Sequence, residues 1–225
     1  MQNTALSYGS DQSGLVCGFV FGRAADGQGL PIDCDAARQW LAAREQHPDE
    51  FIWLHFNLAN TATEKWLHEH TVLPEEFYDS LHEGPRSTRI ELADDTLIAV
   101  VNDVLHDFTY EASDISTLSL SVGRQLVISA RRRPLRAVDS LRQAVVNGEP
   151  IRSPVELLIH LLRDQADALV KIVRDAIATV DNIEDNLLAG KLTDKRANLG
   201  ALRRVLVRLR RLLAPEPAAL FRLLQ

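Results

Sequence analysis

The sequence is poor in cysteine and has no long apolar run, and each absence excludes a class of protein. Its 225 residues include two cysteines, Cys17 and Cys34, which form no C-x-x-C motif. We therefore expect a reduced, cytosolic protein whose cysteines are small buried side chains. No run of about 18 apolar residues predicts a membrane-spanning helix, and the polar N-terminus shows no signal-peptide pattern.

Familiar enzyme motifs are absent as well. The chain has no HExxH, GxSxG, P-loop or GxGxxG pattern, so we predict no enzyme. The net charge of −6 argues against general nucleic-acid binding, which needs a basic surface.

Three groups of basic or histidine side chains are candidates for a site, and each also has a structural interpretation. His68 and His70 lie two residues apart on a predicted helix, so their side chains point about 200° from each other. We expect a solvated helix end there rather than a metal site. His55 lies in a predicted strand and is expected to be a partly buried side chain. The arginines 131–133 are interpreted as a solvated strand-to-helix corner, with a phosphate contact as the alternative.

A very long helix is predicted from Ser153 to Gly190. Ser153, Pro154 and Glu156 form a capping box with proline at the first helical position, and Gly190 suits a left-handed C-terminal residue. At 1.5 Å per residue this helix would be about 54 Å long, more than a compact domain needs. The predicted apolar stripe is Leu158, Leu162, Ala166, Leu169, Val173, Ile177, Val180, Ile183 and Leu187.

A second helix begins at Thr193 or Asp194 and ends before Pro215, and so short a connection predicts an antiparallel hairpin. Its arginines face an acidic first arm, which we interpret as ion pairing between the arms. A basic face for nucleic acid or a membrane surface is the alternative. The acidic residues are Asp164, Asp167, Asp175, Asp181, Glu184 and Asp185, and the basic ones Arg196, Arg203, Arg204, Arg208, Arg210 and Arg211.

A new apolar-periodic segment starts at residue 218 and is cut at Gln225. It predicts a helix that continues in a longer protein.

Strands and helices are mixed first, then strands dominate, then only helices follow, which predicts an α/β layer with a helical extension. Predicted strands cover 15–21, 51–58, 89–92, 97–105, 115–122 and 126–130, and predicted helices 33–45, 61–70, 73–81 and 134–146. The loop at 147–152 separates a domain at 15–150 from the helical region at 151–225, and we expect residues 1–14 to be poorly ordered.

Local details are also predicted. The 51–58 strand alternates in a way that gives it one core face and one partly covered face. Thr61 and Glu64 form a second capping box. The pair Asp94–Asp95 makes a hairpin turn, and Gly123 suits the first central position of a type II′ turn.

In four stretches the chain resembles the CorA family of divalent-cation transporters, most closely its zinc-transporting ZntB branch. The stretches are FIWLHFN at 51–57, LPEEFYDSLHEGPRSTRIELADDTLIAV at 73–100, LSVGRQLVISARRRPLRAVDSLR at 120–142, and ATVDNIEDNLLAG at 178–190 with ALRRVLVRLRRLLAPEPAALFRLL at 201–224. The resemblance implies an α/β/α sandwich with a mixed, largely antiparallel sheet, followed by a long antiparallel helical hairpin.

The resemblance also implies a function. Family members are homopentamers in the inner membrane, with a long stalk helix and two C-terminal transmembrane helices that this chain lacks. The chain would be the cytoplasmic funnel domain of a zinc transporter, with a vestibule or regulatory role, no cofactor, and zinc or magnesium as the bound or transported ion. A magnesium or cobalt transporter domain and a stand-alone regulatory protein are the alternatives.

One site residue is implied by the resemblance. In magnesium-transporting members, an acidic residue in an "lEDiL" pattern faces the neighbouring subunit's stalk and helps to bind a regulatory divalent ion. Asp79 matches that aspartate, whereas Tyr78 replaces the preceding glutamate. The residues alone predict a surface acidic cluster of Asp79 with Glu75 and Glu76, one turn back.

Overall fold

The computed structural model describes residues 9–22, 26–82, 88–105, 107–108, 114–188 and 195–214. The strands are β1 Leu15–Gly22, β2 Leu30–Ile32, β3 Glu50–Asn57, β4 Arg89–Ala93, β5 Thr96–Val104, β6 Ile115–Val122 and β7 Leu126–Arg131. The helices are α1 Cys34–Ala42, α2 Ala62–His70, α3 Glu75–His82, α4 Arg136–Val146, α5 Pro154–Leu188 and α6 Lys195–Leu213, with a 3₁₀ turn at Arg44–Gln46. Every predicted strand is present, and β2 is an addition.

The seven strands form one sheet in the order β2-β1-β3-β7-β6-β5-β4. The β3–β7 pair is parallel and the other pairs are antiparallel. β3 therefore lies inside the sheet, and its residues 51–56 are all buried. The prediction that one face of β3 is only partly covered is wrong, because helices cover the sheet on both sides.

Two apolar clusters place these helices in separate layers. One cluster joins Trp53 and Phe21 of the sheet to Leu141 of α4 and Leu157 at the start of α5. On the opposite face, the other cluster joins Leu54 and Phe56 to Trp40 of α1, Trp66 of α2 and Phe77 of α3. The predicted α/β/α sandwich is confirmed.

The two predicted turns differ in outcome. Asp94 and Asp95 have φ angles of 45° and 62° and connect β4 to β5. This is the type I′ geometry that suits hairpins, and Asp tolerates it better than most residues. The β6–β7 connection, 123–125, is longer than a two-residue turn, and Gly123 lacks the positive φ that type II′ requires. That turn type was wrong.

The starts of α2 and α4 are capped by residues other than those predicted. Thr61 makes no capping hydrogen bond, and Asn60 Oδ1 accepts from the Ala62 N–H at 2.9 Å instead. α4 begins at Arg136, two residues after the predicted start. Its Ala137 N–H donates to Asp103 Oδ2 of β5 at 2.8 Å. A buried carboxylate from the sheet thus caps α4.

The long helix α5 begins as predicted. Ser153 Oγ accepts from the Glu156 N–H at 3.1 Å, and the Glu156 carboxylate accepts from the Arg152 N–H at 2.6 Å. The helix spans 35 residues. Gly190, the hairpin connection and the segment from residue 215 onward lie outside the described residues. No helix within the described ranges is long and apolar enough to cross a membrane.

The predicted stripe on α5 is partly wrong. Val173 and Ile177 are 48% and 56% exposed, whereas Ala168, Ile172 and Ala176 are buried. The buried face is thus rotated relative to the predicted stripe.

Apolar contact, not charge, joins α5 to α6. A cluster connects Ala168 and Ile172 of α5, Val205 and Leu209 of α6, and Val104 at the end of β5. Among the described residues of the two helices no ion pair joins one to the other. The predicted pairing of an acidic arm with a basic arm is therefore not found for Arg203, Arg204, Arg208, Arg210 and Arg211, whereas the side chain of Arg196 lies outside the described part of the helix.

Truncating Val205 tests this contact. Val205 is 1% exposed, and Val207, two positions along the same helix, is 49% exposed. We expect Val205→Ala to lower the free energy of unfolding by about 2 kcal/mol, since two buried methyl groups are lost and a cavity remains. Val207→Ala should change it by less than about 0.5 kcal/mol. Urea denaturation of both variants measures the difference, and equal effects would contradict the packing.

Asp103 should make stability depend on pH. Burial raises its pKa from 3.8 to about 6 in the folded chain, so the folded state holds the proton more tightly than the unfolded one. The contribution of Asp103 to the free energy of unfolding therefore falls, by about 2 kcal/mol, as the pH rises from about 4 to about 6. Urea titrations of wild type and Asp103→Asn across this range should show their difference shrinking. A constant difference would refute the assignment, and Asp35→Asn at an exposed site is the control.

Candidate functional site

The α3 helix presents one face to the core and one to solvent. Phe77, Ser80 and Leu81 are buried. Ser80 Oγ donates to the Phe77 carbonyl at 2.6 Å, and its own carbonyl accepts from Ser119 Oγ of β6 at 3.3 Å. These contacts fix α3 on the sheet.

The candidate residue Asp79 lies on the outer face of α3. It is exposed, as are Glu75 and Glu76 one turn earlier. Residues three and four apart on a helix are neighbours, so the three carboxylates form a single acidic surface. The described part of the chain nevertheless contains no group of three or more ligands placed to hold a metal ion. An ion at Asp79 would need further ligands from outside these residues.

Tyr78 and His82 attach α3 to α2 rather than extending the acidic surface. The Tyr78 ring stacks on His68 with 3.9 Å between ring centroids and 8° between planes. Burial raises the pKa of Tyr78. His82 Nε2 lies 3.4 Å from Glu64 Oε2. At the position where the family resemblance predicts a glutamate, this chain thus has Tyr78, whose ring packs against His68 of α2.

The histidines of α2 contact different rings. His70 packs edge-on against Trp66 at 5.0 Å, on another side of the helix from the His68–Tyr78 stack. The two imidazoles therefore do not converge on one point.

His55 is wholly buried, not partly buried as predicted. It is 1% exposed, and its Nδ1 lies 2.8 Å from Ser129 Oγ, which also accepts from Trp53 Nε1 at 2.8 Å. His55 Nε2 has no hydrogen-bond partner among the described residues. Burial, and then the positive charges of Arg131 and Arg142, hold the pKa of His55 well below its usual range, so the imidazole is neutral.

A buried charged cluster accompanies His55. Arg131, Asp139 and Arg142 are 5%, 7% and 6% exposed, and Arg142 Nη2 donates to Asp139 Oδ1 at 2.8 Å. The predicted solvated corner at 131–133 is therefore wrong for Arg131. Arg132 does lie at the surface, where it donates to the Leu58 and Leu81 carbonyls at 3.4 and 3.2 Å. The spacing of Asp139 and Arg142 on the apolar face of α4 was the one sequence signal for this cluster.

Both cysteines are free and half-buried. Burial raises the pKa of Cys17 and of Cys34 to about 12, so neither thiol is a nucleophile at neutral pH.

Another polar group missed from the sequence lies at the start of α5. His160 Nε2 is 2.9 Å from Glu149 Oε1, and its Nδ1 is 3.2 Å from Asp164 Oδ2. Burial raises the pKa of Asp164. The hydrogen bond between His160 Nε2 and Glu149 joins the α4–α5 loop to α5, whereas the Asp164 carboxylate is near Nδ1 without hydrogen-bond geometry.

A cavity of about 500 Å³ lies at the end of the sheet near the start of α5. Its lining combines carboxylates from Asp26, Asp49 and Glu50 with Arg124 and Arg152.

Comparison with known proteins gives a consistent result. Residues 48–225 match the family model described as "CorA-like Mg2+ transporter protein". The chain is 28% identical to the divalent cation transporter CmaX of Pseudomonas aeruginosa over 215 residues, which are 92% of this chain and 61% of that protein. It is 30% identical to the zinc transport protein ZntB of Cronobacter sakazakii over 179 residues, 76% of this chain and 51% of that protein.

Solved structures have the same fold. The structure of full-length CmaX superposes with a TM-score of 0.78 at 26% identity, covering 92% of this chain and 62% of that one. The ZntB cytoplasmic domain of Vibrio parahaemolyticus superposes with a TM-score of 0.64 at 17% identity, covering 94% of this chain and 79% of that one. The chain spans between half and two thirds of the length of the curated relatives described above.

Proposed function

Because the chain belongs to the CorA-like Mg2+ transporter family, we propose that it is the cytoplasmic domain of a divalent-cation transporter. The observation that supports this proposal most directly is the 28% sequence identity to a divalent cation transporter over 92% of this chain. The fold supports the same assignment, since it is that of a cytoplasmic domain of known structure. We propose no enzymatic activity, since the two half-buried thiols and the neutral histidine are not arranged as a catalytic group.

Zinc is the cargo that we propose. Relatives named as zinc transport proteins support it. Tyr78 supports it as well, since it replaces the glutamate that the resemblance associates with magnesium transport. Magnesium or cobalt is the alternative cargo, and a stand-alone regulatory role is the alternative function.

The proposed assembly is a homopentamer in the inner membrane, with this domain on the cytoplasmic side. Residues 15–150 would form the α/β/α unit, and residues 151–225 would lead towards the stalk and the membrane. A net charge of −6 fits such a vestibule, because an acidic surface raises the local cation concentration at low salt.

Asp79 is our proposed ligand for a regulatory divalent ion between subunits. Its exposure, together with that of Glu75 and Glu76, leaves carboxylate oxygens available to a hard cation. A cation between two acidic subunits would offset their repulsion and favour one arrangement, and its loss would release that arrangement.

Ion flux tests the cargo. We expect the full-length gene product in liposomes to admit zinc several-fold faster than magnesium or cobalt, with an enclosed dye that responds to the ion under test as the reporter. The measurement is the initial rate with each ion at equal concentration, with empty liposomes as the control. Faster magnesium or cobalt entry would favour the alternative cargo, and no flux of any ion would favour the stand-alone role.

Calorimetry tests Asp79. In the full-length protein, we expect Asp79→Ala to weaken divalent-ion binding by about tenfold, because one charged oxygen ligand is lost. Asp35→Ala, whose carboxylate is also on an exposed helix surface and 79% exposed, is the matched control. Unchanged binding in Asp79→Ala, or equal weakening in both variants, would show that Asp79 is not a ligand.

A further inference from the structure

A second cavity, of about 180 Å³, lies on the sheet face that carries α1, α2 and α3, beside the turn between β6 and β7. Apolar side chains from α1, from the segment before α3 and from β7 form much of its lining, namely Trp40, Leu41, Leu73 and Leu126. An apolar cavity of about 150 Å³ is large enough to hold benzene. This cavity therefore has room for a ligand with one small ring.

The charged groups that line the cavity have a single sign. Arg44 and Arg124 both contribute to the lining, and none of the described residues that line it is acidic. Both arginines are exposed, and no ion pair joins either side chain to another described residue. Two guanidinium groups are thus available to an anionic group of a ligand, and a planar carboxylate suits their geometry.

Gln125 holds together the two backbone segments that carry these arginines. Its Nε2 donates to the His47 carbonyl at 2.7 Å and to the Glu50 carbonyl at 3.4 Å, and it lies 3.5 Å from the Arg44 carbonyl. One side chain thus joins the β6–β7 turn, with Arg124, to the 3₁₀ turn that contains Arg44. The positions of both arginine backbones are therefore set before a ligand binds.

A buried hydroxyl group in the lining lacks a partner. Ser121 of β6 lines the cavity and is 1% exposed. Its Oγ makes no hydrogen bond with any described residue. Leaving such a group unsatisfied destabilises the folded state, and it indicates a partner that is supplied from outside the chain. An oxygen atom of a ligand would accept the hydroxyl hydrogen.

We propose that this cavity binds a small organic monocarboxylate whose apolar part is about the size of a benzene ring. The ring would pack against Trp40 and Leu73, and the carboxylate oxygens would accept from Ser121 Oγ and from the two arginines. The apolar lining, the single sign of charge and the unpaired hydroxyl each support a different part of this ligand. The site does not depend on the proposed transport function, and its test needs no transport assay.

Calorimetric titration with three compounds tests the class of ligand. We expect sodium benzoate to bind the 225-residue chain with a Kd of about 1 mM, which is in keeping with its small size. Benzamide has the ring without the charge, and acetate has the charge without the ring, so each should bind about tenfold more weakly or worse. Binding of either compound as tightly as benzoate, or no binding of benzoate, would overturn the proposal.

A crystal soaked in 4-bromobenzoate tests the location. We expect an anomalous bromine peak inside this cavity, next to Trp40 and Leu73. A peak in the larger cavity near the start of α5, or water alone in this one, would overturn the assignment.

Substitutions separate this cavity from the larger one. Arg44 lines only this cavity and Arg152 lines only the larger one, and both are exposed. Arg44→Gln should raise the Kd for benzoate about tenfold, because a charged hydrogen-bond donor is lost. Arg152→Gln should change it by less than about twofold, because an exposed charge outside the cavity is screened by salt. Equal effects of the two substitutions would overturn the proposal.

Ser121→Ala distinguishes a ligand contact from a structural role. In the free protein the hydroxyl has no partner to lose, so Tm should stay the same or rise, whereas the Kd for benzoate should increase about tenfold. A lower Tm with an unchanged Kd would show that the hydroxyl serves the fold and not the ligand.

Discussion

The burial of residues 51–56 of β3 is the constraint on which the rest of this structure depends. With its parallel partner β7 on one side and β1 on the other, the strand has helices above and below, and these six residues are buried. A polar side chain on such a strand loses its hydration, and this destabilises the folded state unless the side chain makes a hydrogen bond inside the protein. Ser129 meets this need for both Trp53 and one nitrogen of His55. Next to them lies the buried charged cluster of Arg131, Asp139 and Arg142, in which Arg142 donates to Asp139.

Local signals in the sequence were sufficient for some of the turns and helix caps, but not for all. The Asp94–Asp95 turn and the Ser153 cap need only neighbouring residues, and both were predictable. The caps of α2 and α4 were not, because the Asn60 and Asp103 side chains compete successfully with the nearest candidates. Asp103 reaches α4 from a strand 34 positions away in sequence. Periodicity likewise identified α5 as a helix but could not say which of its two apolar faces would meet the sheet.

The candidate sites also differ in whether the local sequence was enough to predict them. Asp79 could be located from a short pattern, since an exposed helix position needs only the correct register of α3. The buried cluster could not be located in this way. Arginines 131–133 form a polar run, and no local feature of the sequence distinguishes Arg131, which is buried, from Arg132 and Arg133. Strand alternation makes the difference: Arg131 shares a face with Ser129 and Val127, which is the face that α4 covers. That conclusion requires knowing that β7 is an interior strand.

The sheet also separates the two kinds of charge in this domain. Carboxylates of α3 face solvent on one side, where a hydrated divalent cation can reach them. Arginines 131 and 142 are buried on the other side, with a sheet and two layers of side chains between them and α3. Mobile ions in the solvent do not enter the protein interior, so distance, and the pairing of Arg142 with Asp139, limit how strongly these arginines repel a cation at α3. One small domain thus carries exposed carboxylates on one layer and buried arginines on the other, because the sheet lies between them.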